Sequence, residues 1–183
     1  CEMPNYPYGK LFKGYKTRLY KEEKVSENLS VIRSGVWVNN RLTSFKIIGN
    51  YLSFAIIGMI NVLKIKKHDI IIISSPPLFV GLISIIFKKI KSSIILLDLR
   101  DIWPESVIAL DGIKSKLLIK MGKWLETKVY NSVNGFIFTV PGFYNYFKEF
   151  FPEQLNKPMF NLMNGIDRQF LENTKDNIIN NGQ

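Results

Sequence analysis

Between Ile94 and Ser106 an apolar run turns abruptly into Arg100-Asp101-Ile102-Trp103-Pro104-Glu105-Ser106. Asp98, Arg100, Asp101 and Glu105 follow directly on Ile94 to Leu97. Unpaired charge is costly to bury, so a strand leading into this cluster has to end at a polar rim. A carboxylate on such a rim can serve as a general base or accept from a hydroxyl. Asp101 and Glu105 are therefore the candidate catalytic acids. Arg100 suits a phosphate, or can orient Asp101. Trp103 can stack on a sugar ring or close the mouth of a crevice. A strand-end salt bridge followed by a proline turn would account for the same residues without any chemistry.

Two more polar clusters follow apolar runs. Ser74-Ser75-Pro76-Pro77 comes after Asp69 to Ile73, and Asn164-Gly165-Ile166-Asp167 comes after Met159 to Leu162. Asn164-Gly165 favours a tight turn with positive φ. In open α/β sheets ligands bind beyond the carboxyl ends of parallel strands, so three such clusters would share one edge. A fourth candidate is the loop 4–16, rich in Pro and Gly, where Tyr6, Tyr8, Phe12 and Tyr15 are interleaved with Lys10, Lys13 and Lys16. Loops on rigid scaffolds often carry binding residues; packing of the aromatics on the domain is the plainer account.

The elements that must position these residues alternate. Leu29 to Arg33 reads as a short strand. Residues 41–64 repeat apolar side chains at three- and four-residue steps and predict a helix, although Gly49 and Gly58 weaken it. Asp69–Ile73 is a strand, residues 78–90 a helix, and Ile94–Leu97 a strand. Residues 115–131 are a helix with Leu117, Leu118, Met121, Trp124, Leu125 and Val129 on one side. Gly135–Thr139 is a strand, residues 141–150 a short aromatic helix, and Met159–Leu162 a last strand. Strand and helix in this order predict βαβ units and a doubly wound, mostly parallel sheet. The uncharged run from Ile70 to Phe87 is long enough to span a membrane, but Pro76-Pro77 near its middle opposes a straight helix. Helices 45–63 and 78–90, with Lys at their ends, could instead leave an apolar face for a membrane surface.

Composition bounds the chemistry. The 183 residues are 46% hydrophobic, enough for one domain with a core. A single cysteine, Cys1, allows no intrachain disulfide, and with one histidine, His68, no ordinary structural zinc site is possible. No phosphate-binding glycine loop and no Ser-His-Asp hydrolase pattern is present. The net charge is +10. Residues 1–98 carry 15 basic and 6 acidic side chains, residues 99–183 carry 10 and 9. Such a field attracts anions, including an anionic membrane surface. No nucleic-acid module is recognisable.

Taken in order, Asn5-Tyr6-Pro7-Tyr8-Gly9-Lys10, Ser74-Ser75-Pro76-Pro77-Leu78, Arg100-Asp101-Ile102-Trp103-Pro104-Glu105-Ser106 and Asn164-Gly165-Ile166-Asp167 resemble bacterial retaining glycosyltransferases of family four, the polysaccharide-biosynthesis type with a GT-B fold. The Arg-Asp-x-Trp-Pro-Glu-Ser string is the most specific match. The resemblance runs from residue 4 to about residue 171. It implies a Rossmann-like, acceptor-binding N-terminal domain over residues 1–171, with a polar tail or interdomain connection over 172–183. It further implies transfer of a sugar from a nucleotide-sugar donor, often UDP-linked, to a lipid-linked or growing glycan in surface-polysaccharide assembly. No metal or other cofactor is implied. Asp101 and Glu105 would handle the acceptor hydroxyl. Tyr6, Tyr8, Lys10, Lys13, Ser75, Arg100 and Trp103 would line the acceptor site, and Asn164 and Gly165 would lie toward the nucleotide. The family's first strand with its glycine loop, and its C-terminal nucleotide-sugar domain with the paired-glutamate motif, are not in this sequence. The expectation is a fragment, inactive alone, of an enzyme peripheral to the inner face of the cell membrane. A non-catalytic, basic membrane-binding module is the alternative.

Overall fold

The structure is a computed structural model that describes residues 10–16, 18–39, 43–65, 68–75, 78–90, 93–109 and 115–165. It opens with an antiparallel hairpin, β1 (Tyr20–Ser26) and β2 (Leu29–Ser34), which pairs Tyr20 with Ser34 and is irregular between Lys24 and Ser26. β2 lies where the sequence predicts a strand. β1 does not announce itself, because Tyr-Lys-Glu-Glu-Lys-Val-Ser lacks apolar alternation. Charge pairing helps to hold it instead: Glu23 meets Lys21 on its own strand, and its Oε2 accepts from Arg33 Nε across the hairpin at 3.0 Å.

Helix α1 (Ser44–Val62) starts at Thr43, whose side chain accepts from the Lys46 amide, a standard N-cap. Gly49, a poor helix former, is explained by packing. A Cβ there would lie 2.5 Å from Cζ3 of Trp37. The segment 70–87 folds as strand β3 (Ile70–Ser75), a 3-10 turn (Leu78–Gly81) and helix α2 (Leu82–Ile90). It is therefore not a continuous helix. Among the described residues, the helix long and apolar enough to cross a membrane is α1, over Phe45–Val62 with mean hydropathy 1.4.

The remaining elements are β4 (Ile94–Leu99), α3 (Glu105–Ala109), α4 (Lys116–Ser132), β5 (Gly135–Phe138), α5 (Phe143–Phe150) and β6 (Met159–Asn161). The strands form one parallel sheet in the order β3-β4-β5-β6. The protein is thus a mixed α/β structure with an all-parallel four-stranded sheet flanked by helices, compatible with a Rossmann-like fold.

Alternation along the strands divides the sheet into two faces. Ile73, Ile95, Leu97, Leu99, Phe136 and Phe138 line the covered one, where they meet Phe87 of α2, Leu125, Val129 and Tyr130 of α4, and Phe147 of α5. On the other face Ile70, Ile72, Ile94 and Phe160 are at least half exposed. The end of α4 is closed by two lysines, Lys157 on the Tyr130 carbonyl and Lys88 on the Asn131 carbonyl, which suits the negative end of a helix.

The apolar side predicted for α4 is not the side that packs. Leu125 and Val129 are buried as expected, but Leu117, Leu118, Met121 and Trp124 are exposed. Their place is taken by Gly122, Glu126, Tyr130 and Val133. Positions 122, 125, 126, 129 and 130 form one helical stripe, rotated from the more hydrophobic one, and Val133 is buried just past the helix end. This stripe fits its surroundings: its small glycine lies against Pro104, and its large tyrosine packs among Phe136, Phe147 and Phe151.

Candidate functional site

Parallel pairing sets Ser74 of β3 beside Asp98 of β4. The Ser74 hydroxyl donates to Asp98 Oδ2 at 2.6 Å, and Arg100 Nε donates to the same oxygen at 3.1 Å. The Asp98 side chain is 11% exposed and that of Arg100 57%. A mostly buried carboxylate therefore anchors a guanidinium that still reaches solvent. Arg100 is paired with Asp98 rather than with Asp101, which stands exposed at the next position. The rim carries a fixed cation and an open carboxylate side by side, a combination suited to an anionic group and a neighbouring hydroxyl.

Ser75, expected to contact an acceptor, does not reach this rim. Strand side chains alternate, and β3 continues through Ser75 with its side chain on the covered face. It is fully buried, its Oγ has no hydrogen-bond partner among the described residues, and its carbonyl accepts from the Arg100 amide. Ser74 and Asp98 occupy the rim instead. Both stand in the polar clusters that the sequence marks at the strand ends, but neither is among the residues expected to contact an acceptor.

Beyond Asp101 the chain enters α3 through a cis Trp103–Pro104 peptide. Trp103 packs edge-on against Phe79, with ring centroids 5.6 Å apart. Pro104 is buried against Gly122, where a Cβ would come within 3.1 Å of the proline ring. Replacing Gly122 with Val should therefore displace the Trp103–Glu105 segment and lower stability by about 1–3 kcal/mol, as overpacking generally does. Urea unfolding measures this, and an unchanged midpoint would contradict the contact.

Glu105 is the second expected acid. Its Oε1 pairs with Lys123 Nζ at 3.1 Å, and its Oε2 is buried with no hydrogen-bond partner among the described residues. It belongs to a cluster with Glu126, Tyr130 and Tyr146, in which the Tyr146 hydroxyl donates to Glu126 Oε1 at 3.2 Å. Burial, reinforced by the charge of Glu105, pushes the Glu126 carboxyl up to about 7. Burial first, and then the charge of Glu126, raise the hydroxyls of Tyr130 and Tyr146. The sequence does not announce this cluster, because Glu126 lies on a less hydrophobic stripe of α4 than the one its apolar residues predict to be buried. Its signal is a lone acid at helical spacing from Gly122, Val129 and Tyr130.

The other expected residues scatter. Tyr6, Tyr8, Ile166 and Asp167 lie outside the described residues. Lys10 and Lys13 are exposed, with no hydrogen bond or ion pair among the described residues. Asn164 and Gly165 are exposed after β6. The positive φ expected at Gly165 is not found; among the described glycines Gly14 alone has one, at 91°. The short strand β6 runs into open chain there, so no tight turn imposes that conformation.

Two concavities accompany the rim. A wholly apolar groove of about 320 Å³ runs between α1 and α4, lined by Ile48, Leu52, Leu118 and Met121 with Phe79 and Trp103 between them. A larger cavity of about 790 Å³ separates the hairpin from the edge of β3. Two of its polar groups are already engaged by Tyr20, whose hydroxyl donates to Glu22 at 2.6 Å and whose ring lies under Lys64. The rim therefore remains the better candidate for chemistry, although the larger cavity lies elsewhere. No protein-family model, no curated protein and no solved structure matches the chain.

Proposed function

We propose that this chain is the acceptor-side half of a retaining glycosyltransferase, a doubly wound, Rossmann-like N-terminal part of a GT-B enzyme. The observation that carries the reading is the rim at the ends of β3 and β4, where Arg100, held by Asp98, stands next to the open carboxylate of Asp101. In this reading Arg100 meets a phosphate of the donor or of a lipid-linked acceptor. Asp101 accepts from the acceptor hydroxyl. Glu105 acts behind it, its charge balanced by Lys123. Lys10 and Lys13, with Tyr6 and Tyr8, belong to the acceptor channel, while Asn164 and Gly165 lead toward the nucleotide. The nucleotide-sugar donor, UDP-linked in this reading, is held mainly by a C-terminal domain, and the product is a surface polysaccharide.

The test is the Asp101→Asn substitution in a chain that carries such a nucleotide-binding domain. Loss of a hydrogen bond to a charged group, about 1.5–3 kcal/mol, should lower sugar transfer by roughly tenfold to a hundredfold. The melting temperature should not move, because Asp101 is exposed. A full transfer rate in that variant would remove Asp101 from the chemistry. The second reading, a non-catalytic basic membrane-binding module, is favoured by one observation, the exposed apolar side of α1.

A further inference from the structure

Helix α1 is inside out. Its buried side holds Asn50, Ala55, Gly58, Asn61 and Val62, while Phe45, Leu52, Ile56, Ile60 and Leu63 form one exposed stripe. Phe45 is 77% exposed, and only 22% of the Phe45–Val62 stretch is buried. A surface helix in water normally shows the reverse arrangement. The two asparagines are not misplaced. Asn50 donates to the Trp37 carbonyl at 2.7 Å, and Asn61 donates to the Leu19 carbonyl and the Ser34 hydroxyl, each at 3.0 Å. These bonds fasten the polar side to the domain, so the apolar side has to face outward.

Across the apolar groove, α4 repeats the arrangement. Leu117, Met121 and Trp124 are exposed at helical spacing, with Trp124 at 62%. Lys116, Lys120 and Lys123 each stand one position before them, and Lys128 lies over the Trp124 ring at 5.9 Å. Between them α1 and α4 carry Lys46, Lys116, Lys120, Lys123 and Lys128 against a single acid of their own, the buried Glu126; Lys123 is paired with Glu105 of α3, so the cationic border of α4 rests on Lys116, Lys120 and Lys128. The face thus consists of two apolar stripes, an apolar groove joining them and a cationic border.

We propose that this α1/α4 face docks on an anionic lipid bilayer, with the two helices lying in the interface and the lysines at the headgroups. Long apolar side chains bordered by lysine and tryptophan suit that boundary. Charge decides between a bilayer and a second copy of the chain. A two-fold self-contact brings a patch against itself and would set the lysine borders against each other, whereas anionic headgroups neutralise them. The asparagine bonds hold α1 to the domain, so it lies on the membrane and does not cross it. The proposal is independent of sugar transfer, and its test contains neither donor nor acceptor, so its failure would leave that reading intact.

The test is co-sedimentation of the full chain with vesicles of phosphatidylcholine containing roughly 30% phosphatidylglycerol, against phosphatidylcholine alone. Binding to the anionic vesicles is expected, at least about tenfold tighter than to the neutral ones and lost in about 0.5 M salt. The paired substitution Ile56→Glu and Ile60→Glu should weaken it by about tenfold or more. The melting curve should not change, since both residues are exposed. Lys116→Glu with Lys120→Glu should abolish the preference for anionic lipid. Trp emission should shift blue on binding, and Trp124→Phe should reduce that shift. Equal binding by the Ile56/Ile60 variant would overturn the proposal. So would a concentration-dependent dimer, seen by sedimentation equilibrium and dissolved by the same substitutions.

Discussion

Glu126→Gln should stabilise the protein by on the order of 3 kcal/mol at pH 8.5 and change it little near pH 4. The ionised carboxylate is what the fold resists. Glu126 is 1% exposed, near the carboxylate of Glu105, and the Tyr146 hydroxyl and Lys123 only partly offset these effects. Its pKa in the folded chain, about 7, lies above the ordinary 4.5, so the folded chain binds the proton more tightly than the unfolded one. Its contribution is fully present below pH 4.5 and is lost as the pH rises through 7. Gln keeps an oxygen for the Tyr146 hydroxyl and carries no charge at any pH. Urea unfolding of both proteins between pH 4 and 8.5 gives the difference directly. The two curves should separate above about pH 5; parallel curves would mean that Glu126 is not held in a charge-averse site.

Phe147→Ala should cost about 3–5 kcal/mol, much of the roughly 5–15 kcal/mol that holds a domain together. Phe147 is fully buried. Its ring centroid lies 5.0 Å from that of Tyr130, 4.7 Å from Phe136, 5.0 Å from Phe138 and 5.9 Å from Phe151. It is the fully buried contact of the eight-residue α5 with the sheet, with Phe143 adding a more distant one on Phe138 at 6.1 Å, and a helix that short has little stability of its own. Loosening α5 also frees Tyr146 from Glu126, so the substitution should weaken the cluster beside Glu105. Chemical denaturation should show the loss; a change under about 1 kcal/mol would contradict the packing.

These two residues mark how differently the sequence reports its parts. Phe147 sits in a short aromatic helix that the sequence shows, closed by Pro152, but hydrophobicity alone does not separate it from Phe150 of the same helix, which is 54% exposed. Glu126 is visible only once the buried stripe of α4 is known. The strands β3, β4, β5 and β6 were legible because runs such as Ile70–Ile73 and Ile94–Leu97 are short, apolar, β-branched and bounded by polar residues, although only one face of them is buried: Ile70, Ile72 and Ile94 stay at least half exposed. β1 was not, because a polar hairpin strand is stabilised across the pair and lacks an internal period. The candidate site divides in the same way. Arg100, Asp101 and Glu105 could be picked out as charges that must escape a buried strand. Which partners they take, Asp98 for Arg100 and Lys123 for Glu105, depends on strand register and on the approach of a later helix.

By itself, then, the amino-acid order determined the alternation of strands and helices, the parallel sheet, the polar strand ends and the excess of positive charge. Those are local matters of period, breaker residues and composition. Tertiary structure alone decided the parity that hides Ser75 and presents Ser74, and the rotation of α4 that buries Glu126 and exposes Trp124. It also decided which side of α1 faces out. In α1 the buried side is the one whose asparagines find hydrogen-bond partners, and in α4 it is the one whose glycine and tyrosine fit Pro104 and the aromatic cluster; in neither is it the side with the most hydrophobic residues. That is why the most apolar side chains of two helices lie on the surface.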